Sequence, residues 1–316
     1  MLGALVFLSL PLAGLTHYLH GYVRGDYGAI VQRIEHFTRP GDAVIMTGPW
    51  QYWLWRHYAR TQTPYYLIPR EAPPPLSEPD AERVLRELPQ RYSRVWLSLA
   101  ATAQADPTGF ERWLDEHGWR GWQRGYRDAE LRVYSIAREP MPFSEAGVNL
   151  DNMVRLTGYQ LDTRNLELPE VARVTLEYDV LRTPGEPLNV SVRLTAQDGQ
   201  LYQQDLELGY GRRPAPAWRP GERIMAQVGV WLPPGAPPRE YKVYAVVYGA
   251  RSGRPLGAAE TAIMRDSGLT VNQGESLLYL GRMHAVKTLA SVPDWDISGR
   301  AIGAHFGSGG SDQITL

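Results

Sequence analysis

Between Pro140 and Pro142 the spacing of apolar residues changes, and that change constrains the fold more than any other feature of the chain. Before it, short apolar runs alternate with stretches whose apolar residues recur at helical spacing; after it, apolar residues alternate with polar ones, as in strands with one buried face. Two differently built regions of ordinary domain size fit within 316 residues.

In the first region Ile30, Ile34 and Phe37 form one stripe, with Arg33, Glu35 and Arg39 off it, until Pro40 and Gly41 stop the helix. AVIMTG reads as a buried strand feeding the aromatic segment PWQYWLWRHY, the opening of a βαβ unit. Thr63 to Pro69 is a second strand, Glu78 to Leu88 a helix capped by Ser77 or Asp80, and Arg94 to Ala100 a third strand. Asp106 and Pro107 start a helix with Phe110, Trp113 and Leu114 on its apolar stripe, ended by Gly118. A strand pair around Trp119 to Arg124 and Leu131 to Ile136 closes the region. Residues 26–138 are thus expected to form a small three-layer α/β domain.

In the second region Val190, Val192 and Leu194 alternate with Ser191 and Arg193, and turns are expected at Gln197 to Gln200 and Arg251 to Gly253. Short strands of this kind with Gly and Pro turns, over residues 143–271, predict an immunoglobulin-like antiparallel β-sandwich. Residues 272–316 form a tail in which LLYLGRMHAVK offers one more strand. Phe306 and Ile314 to Leu316 echo Phe143 and Val154 to Leu156, so the tail is read as the possible start of a second sandwich.

Met1 to Val23 carries no charge and is long enough to span a bilayer, with His17 and His20 inside the stretch. It reads as a transmembrane helix, possibly truncated, with an uncleaved anchor or signal peptide and a buried helix as the other readings; no Lys or Arg precedes it, as a signal peptide would require. The two histidines fit a membrane boundary better than a metal site, having no third ligand nearby.

The composition narrows the function. Lys and Arg number 33 against 34 Asp and Glu, so the electrostatic footprint of a nucleic-acid binder is absent. With no cysteine there are no disulfides, thiolate nucleophiles or Cys metal sites. No cofactor and no metal are expected. A site in an α/β fold would lie in the loops after Met46 and Leu99, but TGPW lacks dinucleotide-loop glycines and AATAQADP lacks a phosphate-binding lysine. Asp42, Asp106 and His57 are conceivable acid–base groups; Asp42 at a turn and Asp106 before Pro107 are better explained structurally, and no catalytic residue is assigned. Trp50, Trp53, Trp55 and Trp218 are candidate carbohydrate contacts, read against packing roles; among prolines, Trp218 is expected to pin an edge loop.

The string DYGAIVQRIEHFTRPGDAVIMTGPW, followed by RVWLSLA and DPTGFERWLDEHGW, resembles the soluble C-terminal region of bacterial GT-C-type membrane glycosyltransferases, relatives of the dolichyl-phosphate-mannose-protein mannosyltransferases. LTGY, WRPGE and the tyrosines Tyr241 and Tyr248 are similar to the sandwich appended to such enzymes. The resemblance implies a parent that moves a sugar from a polyprenyl-phosphate donor, with these soluble domains on the extracytoplasmic face of the cell membrane. It implies as partners the membrane, a missing multi-helix catalytic portion, and a glycan or lipid-linked sugar. The family's catalytic acid lies in that multi-helix portion, so no residue here inherits it. The alternative is a membrane-anchored carbohydrate- or protein-binding module.

Overall fold

The computed structural model describes residues 26–48, 51–67, 78–100, 109–127, 129–210, 213–259, 270–272 and 276–287. The apolar segment Met1 to Val23 and the suggested second sandwich after residue 287 lie outside them. Among the described residues no helix is long and apolar enough to cross a membrane.

The molecule is mostly β, with two sheets and few helices. Its first half contains α1 (Tyr27–Phe37), β1 (Asp42–Met46), α2 (Gln51–Tyr58), β2 (Tyr65–Leu67), α3 (Glu78–Arg91), β3 (Arg94–Ala100), α4 (Phe110–His117), β4 (Trp119–Gly125) and β5 (Ala129–Ser135). β1 lies between β2 and β3, parallel to both, and β5 pairs antiparallel with β3 and β4. β1 and β3 are buried along their whole length because both faces are covered. Ile30, Val31 and Ile34 of α1 meet Val44, Met46 and Trp96 on one face. Val84, Leu85 and Leu88 of α3, with Phe110 and Leu114 of α4, meet Ile45, Val95 and Leu97 on the other. The period-2 alternation of each strand sorts its side chains between these two cores.

The second half contains β6 (Phe143–Leu150), β7 (Val154–Leu161), β8 (Asn165–Leu168), β9 (Glu170–Val180), β10 (Leu188–Thr195), β11 (Leu201–Glu207), β12 (Arg223–Leu232), β13 (Glu240–Gly249), β14 (Ala258–Ala259), β15 (Thr270–Asn272) and β16 (Leu277–Lys287). Two sheets enclose one core, to which β9 gives Val174, Leu176 and Tyr178, β10 gives Val190, Val192 and Leu194, and β12 gives Val228 and Val230. β16 sits between β13 and β15, so the sandwich extends past residue 271 into the segment expected to be tail. Leu278, Leu280 and Met283 are buried in the same core, which is why the strand belongs there.

One sheet passes through both halves. Its order is β14-β6-β7-β9-β12-β4-β5-β3-β1-β2, and β12 lies parallel to β4 with Val228 opposite Arg120. The outer faces of β9 and β12 pack on the first half, where Val171 belongs to the α1-side core and Trp231 packs against it. Close approach at this seam needs glycine: a Cβ on Gly229 would stand 2.5 Å from Val171 and 2.8 Å from the Trp119 carbonyl oxygen.

Buried charges hold the seam. Arg94 donates to both carboxylate oxygens of Asp42 at 2.9 and 2.7 Å, and to the carbonyls of Phe37 and, across the seam, Pro169. The Trp96 indole N–H also donates to Asp42, at 3.0 Å. Arg173 of β9 donates to Asp162 and to the Ala137 and Glu139 carbonyls of the connecting segment, at 2.8 and 3.2 Å for the latter pair. Arg39 reaches from the end of α1 to Glu170 and the Glu167 carbonyl.

Candidate functional site

The carboxyl ends of the parallel strands are where an α/β sheet usually offers a site. Here Thr47, Gln51 and Ser98 turn inward and satisfy one another. Gln51 accepts from the Gly48 N–H and donates to Ser98 Oγ, both at 3.0 Å, while Thr47 Oγ1 accepts from the Ala100 N–H at 2.9 Å. Nearby, Arg132 is held between Glu111 at 2.6 Å and Glu130 at 2.9 Å, which neutralises both carboxylates. Residues 49–50 and 101–108, which complete these loops, lie outside the described residues, and with them Trp50 and Asp106.

Of the remaining tryptophan candidates, Trp55 is 4% and Trp218 1% exposed, and a buried ring has no face to offer a ligand. Trp55 belongs to the α1-side core. Trp218 donates its indole N–H to the Arg213 carbonyl at 2.8 Å and fills the sandwich core beneath that loop. Trp53 is 61% exposed and lies edge-on to the Tyr52 ring. Asp42 is the buried partner of Arg94, a structural role, and His57 is an exposed side chain edge-on to the Tyr58 ring.

A cleft of about 610 Å³ opens at the seam between the halves. The helix ends of α3 and α4 form one wall, the connecting segment Ile136 to Met141 the other, and β4 and β7 close it with Trp119 and Gln160. The amphipathic spacing of α4 builds its aromatic wall: Phe110 and Leu114 go to the core, which leaves Trp113 and His117, four residues apart, at its edge. Their rings stack at 4.6 Å with an interplanar angle of 11°. Gly118 ends the helix, and Trp119 follows at once on the strand. Its indole N–H donates to Thr175 Oγ1 at 3.1 Å, and the Arg173 guanidinium lies 5.2 Å from its ring centre, so the ring is fixed before any ligand arrives.

Polar groups ring these aromatic faces: Arg86, Arg138, Glu139 and Gln160. Glu139 pairs loosely with Arg164 at 3.6 Å and Arg173 at 3.9 Å. Behind them Asp162 is buried. Burial alone would raise its carboxyl pKa, but the hydrogen bonds and charges of Arg164 and Arg173 outweigh that and hold it below the usual carboxylate range. Flat aromatic faces next to fixed donors and acceptors suit a polyol ring, whose C–H faces stack while its hydroxyls hydrogen-bond. Among the described residues no group of three His, Asp or Glu side chains could hold a metal ion.

Helical spacing alone puts Trp113 on a core stripe, and apolar patterning puts Trp119 in a strand; neither pattern marks a site. The available signal was the Trp113–His117 spacing immediately before a glycine and a third aromatic residue.

No family model and no curated protein matches this chain. Among solved structures it is similar to the C-terminal domain of Wzt, with a TM-score of 0.30 and 10% identity over 48% of this chain and 81% of that one. It is also similar to a Bacteroides uniformis β-glucuronidase, with a TM-score of 0.21 and 16% identity over 42% of this chain and 18% of that one.

Proposed function

We propose that this chain is a non-catalytic, saccharide-binding region of a membrane-anchored protein. Its sandwich belongs to the immunoglobulin-like class, and the region forms the extracytoplasmic portion of a glycosyltransferase that uses a polyprenyl-phosphate sugar donor. The observation that carries the reading is the seam cleft, with Trp113, His117 and Trp119 presented beside Arg86, Arg138 and Gln160. The sequence resemblance of residues 1–136 supports the enzymatic context, and the uncharged segment Met1 to Val23 supports the anchor.

The test is binding of the full chain, in detergent, to an array of oligosaccharides. Trp113→Ala and Trp119→Ala should each weaken the best ligand by about tenfold, since a ring-face contact and the area it buries contribute on the order of 1–2 kcal/mol. Trp53→Ala, outside the cleft, should leave affinity unchanged. Absence of any saccharide binding, or binding indifferent to both cleft substitutions, sinks the reading.

A further inference from the structure

The carboxyl edge of the parallel strands and the start of α1 face the same way. The short connection from Phe37 to Asp42 turns α1 antiparallel to β1, so the first turn of α1 lies at the strand's carboxyl end. Asp26, just before α1, accepts from the Arg127 N–H at 3.3 Å; Arg127 sits on the β4–β5 turn, and the first residue of β5, Ala129, pairs with the last residue of β3, Ala100. α2 follows β1, so its first turn is at this edge too, tied there by the bond from the Gly48 N–H to Gln51.

Two elements at this edge carry the same arrangement. On α2 the Arg56 guanidinium lies 5.6 Å from the Tyr52 ring centre and donates to its hydroxyl at 3.1 Å, beside the exposed Trp53. On the hairpin the Arg124 guanidinium lies 5.5 Å from the Tyr126 ring centre, beside exposed Arg127. Among the described residues no carboxylate forms an ion pair with the guanidinium of Arg56, Arg124 or Arg127; Asp26 at this edge accepts from the Arg127 backbone N–H, and Glu111 and Glu130 are taken up by Arg132. No Asp or Glu occurs between Asp42 and Glu71. The uncharged segment Met1 to Val23 joins this edge through Arg24 and Gly25 alone.

Arginine stems and amphipathic rings together match the interfacial layer of a bilayer, where rings sit at headgroup level and guanidinium groups meet lipid phosphates. Basic residues near an anionic membrane surface are drawn to it, and the attraction adds from one residue to the next. We propose that the carboxyl edge is a bilayer-facing surface, with Trp53 and the two arginine-on-tyrosine pairs in the headgroup layer of a membrane containing anionic lipid. This rests on the membrane-anchored reading above, and it fixes which way the soluble part faces.

The absence of cysteine allows single labels without background. The full chain is reconstituted into phosphatidylcholine–phosphatidylglycerol vesicles with a spin label at Trp53→Cys, or at Leu201→Cys on β11. Collisional relaxation by oxygen and by a water-soluble nickel chelate then reports depth. The expected result is an oxygen-favouring, chelate-protected label at 53 and a fully aqueous one at 201. Combined reversal of Arg56, Arg124 and Arg127 to Glu should raise chelate accessibility at 53 several-fold. Chain that floats with the vesicles but shows equally aqueous labels overturns the surface while leaving the anchor intact. Chain that does not float overturns both. A label immobilised at 53 without oxygen preference assigns the edge to a protein contact and also overturns the proposal.

Discussion

The sandwich encloses one continuous core between two layers of strands, one of which runs on into the α/β half, whereas the α/β half has two cores on opposite sides of that shared sheet, one of them completed by Val171 and Trp231 from the sandwich. The sandwich can close this core with its own strands, although Val171 on its outer face is buried against the α/β half. The α/β half cannot, because the face of its sheet that carries Trp96 and Val133 needs the outer surface of β9 and β12 as cover. Two regions of comparable length in one chain therefore differ in self-sufficiency, and the difference lies in whose side chains close each core.

The most severe break of this asymmetry should be Arg94→Ala. Asp42 is fully buried, so removing its partner leaves a carboxylate in the interior and should cost roughly 3–5 kcal/mol. The loss should fall on the α/β half. Hydrogen exchange should show early loss of amide protection at Val44 and Val95, with Val190 and Val192 of the sandwich still protected. Simultaneous loss at all four would mean that the halves unfold as one unit and would end the distinction.

Acid should act on the seam in the same direction, more gently. Asp162 ionises in the folded chain below its ordinary value of 3.8. A depressed carboxyl pKa stabilises the fold above the unfolded value, and that contribution disappears as pH falls through the folded one. Unfolding curves should therefore show stability declining below about pH 4, and Asp162→Asn should flatten that decline. An unchanged slope in the variant would assign the acid sensitivity to other groups.

The smallest effect should be of opposite sign and confined to the sandwich. The Tyr178 hydroxyl is fully buried with no hydrogen-bond partner among the described residues, and burial pushes its pKa well up. Tyr178→Phe removes an unsatisfied group without changing shape, so it should stabilise by roughly 1 kcal/mol and raise Tm by about 2 °C. A lower Tm would show that the hydroxyl is satisfied in solution.

Much of this was legible in the sequence where the information was local. The Ile30 and Ile34 stripe, the buried run of β3 and the alternation of β10 each reported one element and one buried face. The seam was not legible, because β12 meets β4 across a long stretch of chain and nothing local specifies that pairing. A trace of it lay in β9, whose first seven residues, Glu170 to Leu176, are all buried. Such a run marks a strand covered on both faces but does not say by what. The cleft was hidden for the same reason: its walls come from α3, α4, the connection and β7, and local periodicity assigned Trp113 to the core it only borders.

The unbroken sheet also sets a length. Were the two halves joined by a free tether, a ligand held beside Trp119 could wander relative to Asp26. With β12 bridged to β4 at Val228 and Arg120, and Arg94 and Arg173 clasping both sides, a swing of one half would break that bridge and both arginine clasps. The described part of the chain is thus a gauge of fixed span, and whatever occupies the cleft is carried at one distance and one bearing from the point where α1 begins.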